Sequence, residues 1–196
     1  MARRTAAVVD TWRRKIWYEL VAPRYFDEKI LGETPADDPQ KVINRTVETT
    51  YFELTGDFRK LYLKLYFRVV RVQGTKAYTE FWGHELARDY LTRIVMKRTS
   101  RIDHVFDVTT KDGAIVRVKP IVITRYRAPR KQRTAIRKLL EQRITEIAKG
   151  LNFADFVIYM VTEKLCDDLA PHVNKIFPIK NFHIRKSEVL KLPSQE

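Results

Sequence analysis

Apolar positions change period several times along this chain, and each change predicts an element. From Thr46 to Leu54, Val47, Thr49 and Tyr51 alternate with Thr46, Glu48, Thr50 and Phe52, which predicts a strand turned by Thr55-Gly56-Asp57. Leu61, Leu63, Leu65, Phe67 and Val69 mark one face of a longer strand, with Tyr62, Lys64, Tyr66 and Arg68 on the other. Gln73-Gly74-Thr75-Lys76 has hairpin chemistry and returns the chain along Ala77 to Trp82. A helical period on Leu86, Tyr90 and Ile94 predicts a helix over Glu85 to Arg98. Ile102 to Thr110 and Ala114 to Arg125 form a second hairpin around Lys111-Asp112-Gly113, where the glycine accepts a positive φ.

Pro129 forbids a smooth continuation of that strand, and from Thr134 the residues Ile136, Leu139, Leu140, Ile144 and Ile147 recur at helical spacing. Gly150 sits where a helix C-cap is expected, and Asn152 is placed to cap a second helix striped by Phe153, Phe156, Val157, Met160, Val161 and Leu165. Pro171 is expected to bend or restart that helix and Pro178 to end it. Phe182, Ile184 and Val189 then predict a final strand or extended tail. At the other end, Met1 to Lys15 is basic and short of apolar residues, and reads as an extension ordered by its partner. Ala22-Pro23 breaks what precedes it, Lys29 to Glu33 predicts a short strand, and Pro35 to Gln40 is an acidic loop. The expected organisation is a basic extension (1–24), a sheet core with one inserted helix (25–127), a helical region (128–180), and a final strand with its tail (181–196).

With 196 residues, 44% of them hydrophobic, the chain can bury a real core. A net charge of +14 and a pI of about 9.9 point to a polyanionic partner, nucleic acid above all. No membrane partner is expected: the most apolar run, Phe153 to Val161, is short and interrupted by Asp155. Arg3 and Arg4 precede only the short Ala6 to Val9 patch and no apolar h-region, so no secretory signal is read, and the lone Cys166 fits a reducing cytosol as a buried small residue.

Catalytic chemistry finds little support. Gly83-His84-Glu85 lacks the second histidine that a zinc-protease helix needs, since position 88 is arginine. The histidines are scattered, Asp37-Asp38 offers too few oxygen ligands, and six glycines leave little room for a phosphate loop. Asp103, Asp107 and Asp112 give a metal-dependent nuclease as the remaining enzymatic alternative. No metal site, cofactor or catalytic residue is assigned.

Charge is densest between Arg125 and Arg143, where Arg125, Arg127, Arg130, Lys131, Arg133, Arg137, Lys138 and Arg143 face the single acid Glu141. The plain alternative is the solvated face of an ordinary helix, but such a face intersperses both signs because like charges at i,i+4 repel. Unopposed cations imply that a partner supplies the anions. Arg3, Arg4, Arg13, Arg14 and Lys15 form a candidate arm, in which Trp17 and Tyr18 either stack on unpaired bases or anchor the arm to the domain.

The ordered landmarks resemble one family, the archaeal and eukaryotic small-subunit ribosomal protein called S-three-a or eS-one. They are Trp17-Tyr18-Glu19-Leu20-Val21-Ala22-Pro23 with Phe26; Phe81, Gly83, Leu86, Arg88 and Asp89; Asp107-Val108-Thr109-Thr110-Lys111-Asp112-Gly113; Ile136-Arg137-Lys138; and Phe182-His183-Ile184-Arg185-Lys186. The resemblance implies an α+β fold with a β-barrel-like, mostly antiparallel sheet core and a helical appendage. It also implies a cytoplasmic seat on the small-subunit platform, near the ribosomal RNA 3′ end and the messenger exit. Small-subunit ribosomal RNA and neighbouring ribosomal proteins are the expected partners, with messenger RNA a further candidate, and Arg185 and Lys186 join the RNA-binding set. Eukaryotic members carry longer basic tails, so an archaeal member is expected. An RNA-binding regulator acting outside the ribosome is the non-enzymatic alternative.

Overall fold

The computed structural model describes residues 11–193. The strands are β1 (Ile16–Val21), β2 (Ile30–Ala36), β3 (Thr46–Thr50), β4 (Leu63–Gln73), β5 (Lys76–Leu86), β6 (Arg101–Asp103), β7 (Phe106–Thr109), β8 (Ile115–Thr124) and β9 (Ile179–Lys191). The helices are α1 (Tyr51–Thr55), α2 (Arg88–Ile94), α3 (Arg130–Gly150), α4 (Phe153–Val161) and α5 (Lys164–Ile176). The chain divides into two compact units, Met1–Val47 with Phe67–Glu80, and Glu48–Tyr66 with Phe81–Glu196.

In the first unit, β1 pairs antiparallel with β2 and parallel with the start of β5, Glu19 opposite Lys76. Tyr18, Leu20, Ala36, Val42, Val69 and Ala77 make its buried cluster. Residues 16–21, assigned from sequence to a basic extension, thus form a sheet strand with alternate side chains in the core. Residues 1–10 of that expected extension lie outside the described residues.

In the second unit, β8 and β9 run antiparallel from Ile115 opposite Lys191 to Thr124 opposite Ile179, and β6 and β7 pair with β8 on its other side. α3 packs on β6, β7 and α5, and α5 packs on β9. Ile136, Leu140, Ile144 and Ala148 repeat every fourth residue and are buried, a single stripe on a 21-residue helix. Burial of each of the three larger side chains contributes roughly 1.5–3 kcal/mol.

The fold is α+β with a mixed sheet, and the expected barrel-like closure does not occur. Hydrogen-bonded order runs β2-β1-β5-β9-β8-β6, a path with two ends. Off that path β4 pairs with β3 and β5, and β7 pairs with β8, so the sheet branches.

Several element boundaries also move, each for a local reason. β3 stops at Thr50 instead of Leu54 because Thr50 and Glu53 form a reciprocal capping box, Glu53 N–H to Thr50 Oγ1 at 3.3 Å and Thr50 N–H to Glu53 Oε2 at 3.0 Å. β5 persists through Gly83 to Leu86, delaying α2 to Arg88, because β9 runs close alongside. A Cβ on Gly83 would lie 2.3 Å from the Ser187 carbonyl oxygen. Pro171 lies inside α5, while the helical region breaks earlier, at Glu163, whose φ is 62°.

Candidate nucleic-acid interface

Thr124, fully buried at the end of β8, fixes the turn that leads into α3. Its hydroxyl accepts the Ser100 N–H at 2.9 Å and faces the Ser100 carbonyl at 3.1 Å and the Tyr126 carbonyl at 2.5 Å. Ser100 Oγ accepts the Ala128 N–H at 3.0 Å, and the Arg125 N–H donates to the Pro178 carbonyl at 3.0 Å. With its backbone held from two sides, the turn presents Arg125, Tyr126 and Arg127 outward, all exposed.

α3 begins directly after this turn with Pro129 as N-cap. No side chain caps the helix, and no acidic residue lies in its first turn. The first N–H groups of a helix lack internal partners and carry the positive end of its dipole. Proteins ordinarily place Asp, Ser or Thr there. Here the sequence places Arg130, Lys131 and Arg133, so cations face a terminus that already favours anions.

Pairing separates surplus cations from structural ones. Among the described residues, Arg125, Arg127, Arg130, Lys131, Arg133 and Lys138 have no carboxylate partner, and the block's one acid, Glu141, is held by His104 at 3.0 Å. Several cations elsewhere are matched, among them Arg117 with Asp107 at 2.7 and 3.0 Å, Lys119 with Glu188 at 2.8 Å and Lys64 with Glu48 at 2.7 Å. Arg137 is a tether, its Nε donating to the Asp103 carbonyl at 3.0 Å. Arg133 is half-buried with its Nε enclosed and without a hydrogen-bond partner.

The other sequence candidates are placed differently. Lys186 lies 3.2 Å from Glu85 and 3.3 Å from Glu188, and the Glu85 hydrogen bond raises its pKa despite partial burial. Arg185, beside it on β9, has its Nε enclosed without a partner. In the first unit, Tyr18 is buried at 3% exposure, as the anchoring alternative expects, while Trp17 on the same strand is 55% exposed. Lys15 Nζ stands 4.2 Å from the Trp12 ring centroid, and Arg14 is exposed. Arg3, Arg4 and the Arg13 side chain lie outside the described residues.

Sequence reasoning passed over Lys97, Arg98 and Tyr126. Lys97 and Arg98 are exposed in the turn that leads to Ser100, and Tyr126 is 63% exposed between two arginines. The signal that marks the first two is the run Lys97-Arg98-Thr99-Ser100-Arg101, where a continued helical period was expected instead. For a nuclease centre, the three candidate carboxylates are already engaged apart from one another. Asp103 binds Arg101 at 2.7 Å, Asp107 binds Arg117, and Asp112 accepts the Phe153 N–H at 2.9 Å. Among the described residues no group of three or more His, Cys, Asp or Glu gathers to hold a metal, and no helix is long and apolar enough to cross a membrane.

Comparison with known proteins fits this geometry. Residues 3–193 match the Ribosomal S3Ae family. The small ribosomal subunit protein eS1 of Saccharolobus islandicus (strain L.S.2.15 / Lassen #1) is 43% identical over 193 residues, covering 98% of this chain and 93% of that protein. The protein of the same name from Sulfurisphaera tokodaii is 44% identical over 188 residues, covering 96% of this chain and 97% of its own. That of Saccharolobus solfataricus is 42% identical over 193 residues. A family match over nearly the whole chain, with relatives this similar end to end, means that the chain belongs to the Ribosomal S3Ae family.

Proposed function

We propose that this chain is a structural constituent of the small ribosomal subunit of an archaeon, cytoplasmic and not an enzyme, which binds ribosomal RNA through the β8–α3 junction. The observation that carries the reading is the set of exposed, unpaired cations at an uncapped helix N-terminus. Arg125, Arg127, Arg130, Lys131, Arg133 and Lys138 contact phosphates, joined by Lys97 and Arg98 from the turn at Ser100. Arg suits bidentate contact with phosphate oxygens and Lys acts as a point charge, so the face positions folded RNA and reads little sequence. Arg3, Arg4, Arg13, Arg14, Lys15 and Trp17 supply a second contact.

The family resemblance supports a seat on the platform near the RNA 3′ end and the messenger exit. Neighbouring small-subunit proteins are partners there, and messenger RNA passes within reach. Reversing Arg130, Lys131 and Arg133 to Glu tests the reading. The folded triple variant is expected to co-sediment poorly with small subunits, and its association is expected to lose about two to three units of log–log salt slope. Wild-type incorporation by the folded variant would rule the β8–α3 contact out.

A further inference from the structure

The first unit holds a cavity of about 560 Å³ whose lining differs from the cationic face of α3. Buried Ala22 and Pro23 form part of its wall, and Tyr25 and Tyr78 add aromatic rings. The Arg71 guanidinium lies over the Tyr78 ring, 4.9 Å from its centroid. Glu80 also lines the cavity, and among the described residues its carboxylate accepts one hydrogen bond, from the Tyr25 hydroxyl at 3.1 Å.

Each feature narrows the ligand. A volume in the range of small-ligand pockets accepts one planar heterocycle with room to spare. An aromatic ring beside a guanidinium plane is the arrangement on which unstacked bases settle. Burial pushes the Glu80 carboxyl above the ordinary range, against the Tyr25 hydrogen bond, so its ionised form gains from further donors. Of the two arginines at the lining, Arg24 is matched by Glu28 at 3.4 Å, which leaves Arg71 to favour a phosphate that flanks a base.

We propose that this cavity holds an unpaired guanine of RNA, the Glu80 carboxylate accepting from its N1–H and N2–H groups and the Arg71–Tyr78 pair covering its ring. Guanine alone presents two adjacent donors on its Watson–Crick edge, the complement of a carboxylate's two acceptors. Adenine and cytosine set an acceptor beside their amine, and uracil offers one donor between two carbonyls. The inference rests on the RNA-binding reading above for the nature of the ligand, and it adds sequence readout where the α3 face has none.

Fluorescence anisotropy with short labelled oligouridylates carrying one central G, A, C or U tests it on the full chain. The wild-type protein is expected to bind the guanine probe about tenfold tighter than the others, and Glu80→Gln to lose that preference while keeping its far-UV spectrum. Arg71→Gln, at an exposed side chain, is expected to weaken the guanine probe most. Equal binding of the four probes by the wild type overturns the pocket, as does a guanine preference that survives in Glu80→Gln. Failure of the RNA-binding reading looks different: none of the four probes would then bind, even at low salt. In irradiated small subunits, a Tyr78 crosslink to RNA supports the proposal, and one to a basic peptide of a neighbouring protein overturns it.

Discussion

His84 shows how one buried side chain ties stability to pH. It is 1% exposed, faces the Ile184 carbonyl through Nε2 at 3.1 Å, and meets Ser187 Oγ through Nδ1 at 2.7 Å. The partners fit a neutral ring with the proton on Nε2, donated to the carbonyl, and the Ser187 hydroxyl donating to Nδ1. Burial dominates the hydrogen bond and lowers its pKa from 6.5 to about 4. Between these values the unfolded chain holds the extra proton, so stability falls as pH drops through that window, by about 3 kcal/mol, and levels off below it. Glu163 acts in the same direction. Burial pushes its carboxyl up, but His183 at 2.7 Å, the Tyr62 hydroxyl at 3.0 Å and the Lys60 charge outweigh that and hold it low. Its stabilisation is present above the ordinary carboxylate pKa and is lost as pH falls through the folded-state value. Urea denaturation of His84→Gln is expected to show a shallower stability loss between pH 6.5 and 4 than the wild type. Identical slopes would mean that His84 does not titrate on unfolding. None of this was legible in the sequence, where His84 is one of four scattered histidines; its role arises from Ser187 and Ile184, about a hundred positions away.

At the scale of elements, the division between readable and unreadable follows the range of the deciding contact. The α3 stripe and the Asp112-Gly113 turn depend on neighbours in sequence, and both were legible. The Thr50–Glu53 box is just as local, a T-x-x-E signal hidden by the β-branched run around it. The cap of α4 is another matter. Asn152 occupies the N-cap position but makes no side-chain cap bond, and Asp112, 41 positions before Phe153, accepts the Phe153 N–H in its place. Asp112→Ala is therefore expected to cost about 1 kcal/mol in chemical denaturation, while Asn152→Ala changes stability by only a few tenths. The reverse order would return the cap to Asn152. Pro171 follows the same logic: the αL residue Glu163 takes up the change of direction, so the helix that contains the proline can continue past it.

Across the whole molecule, net charge announces a polyanionic partner but does not say which cations meet it. Arg117 and Lys186 read in sequence much as Arg125 does, yet the first two lie against carboxylates and Arg125 does not. A matched cation releases little counterion when RNA arrives, because its own carboxylate already neutralises it. An unmatched one contributes about 0.7–0.9 to the log–log salt slope for each phosphate it meets. Arg125→Gln is thus expected to lower the slope of small-subunit RNA association by nearly one, and Arg117→Gln to leave it unchanged while freeing Asp107. The Arg117 hydrogen bond, outweighing slight desolvation, holds Asp107 below its usual range; without that partner its carboxyl returns toward the ordinary carboxylate range, where it is still ionised at neutral pH. Any effect of Arg117→Gln on RNA affinity then comes from an added negative charge and is removed by the double change with Asp107→Asn. If single changes at Arg125 and Arg117 altered the slope equally, carboxylate pairing would not be what selects the RNA-facing cations, and total charge alone would govern association.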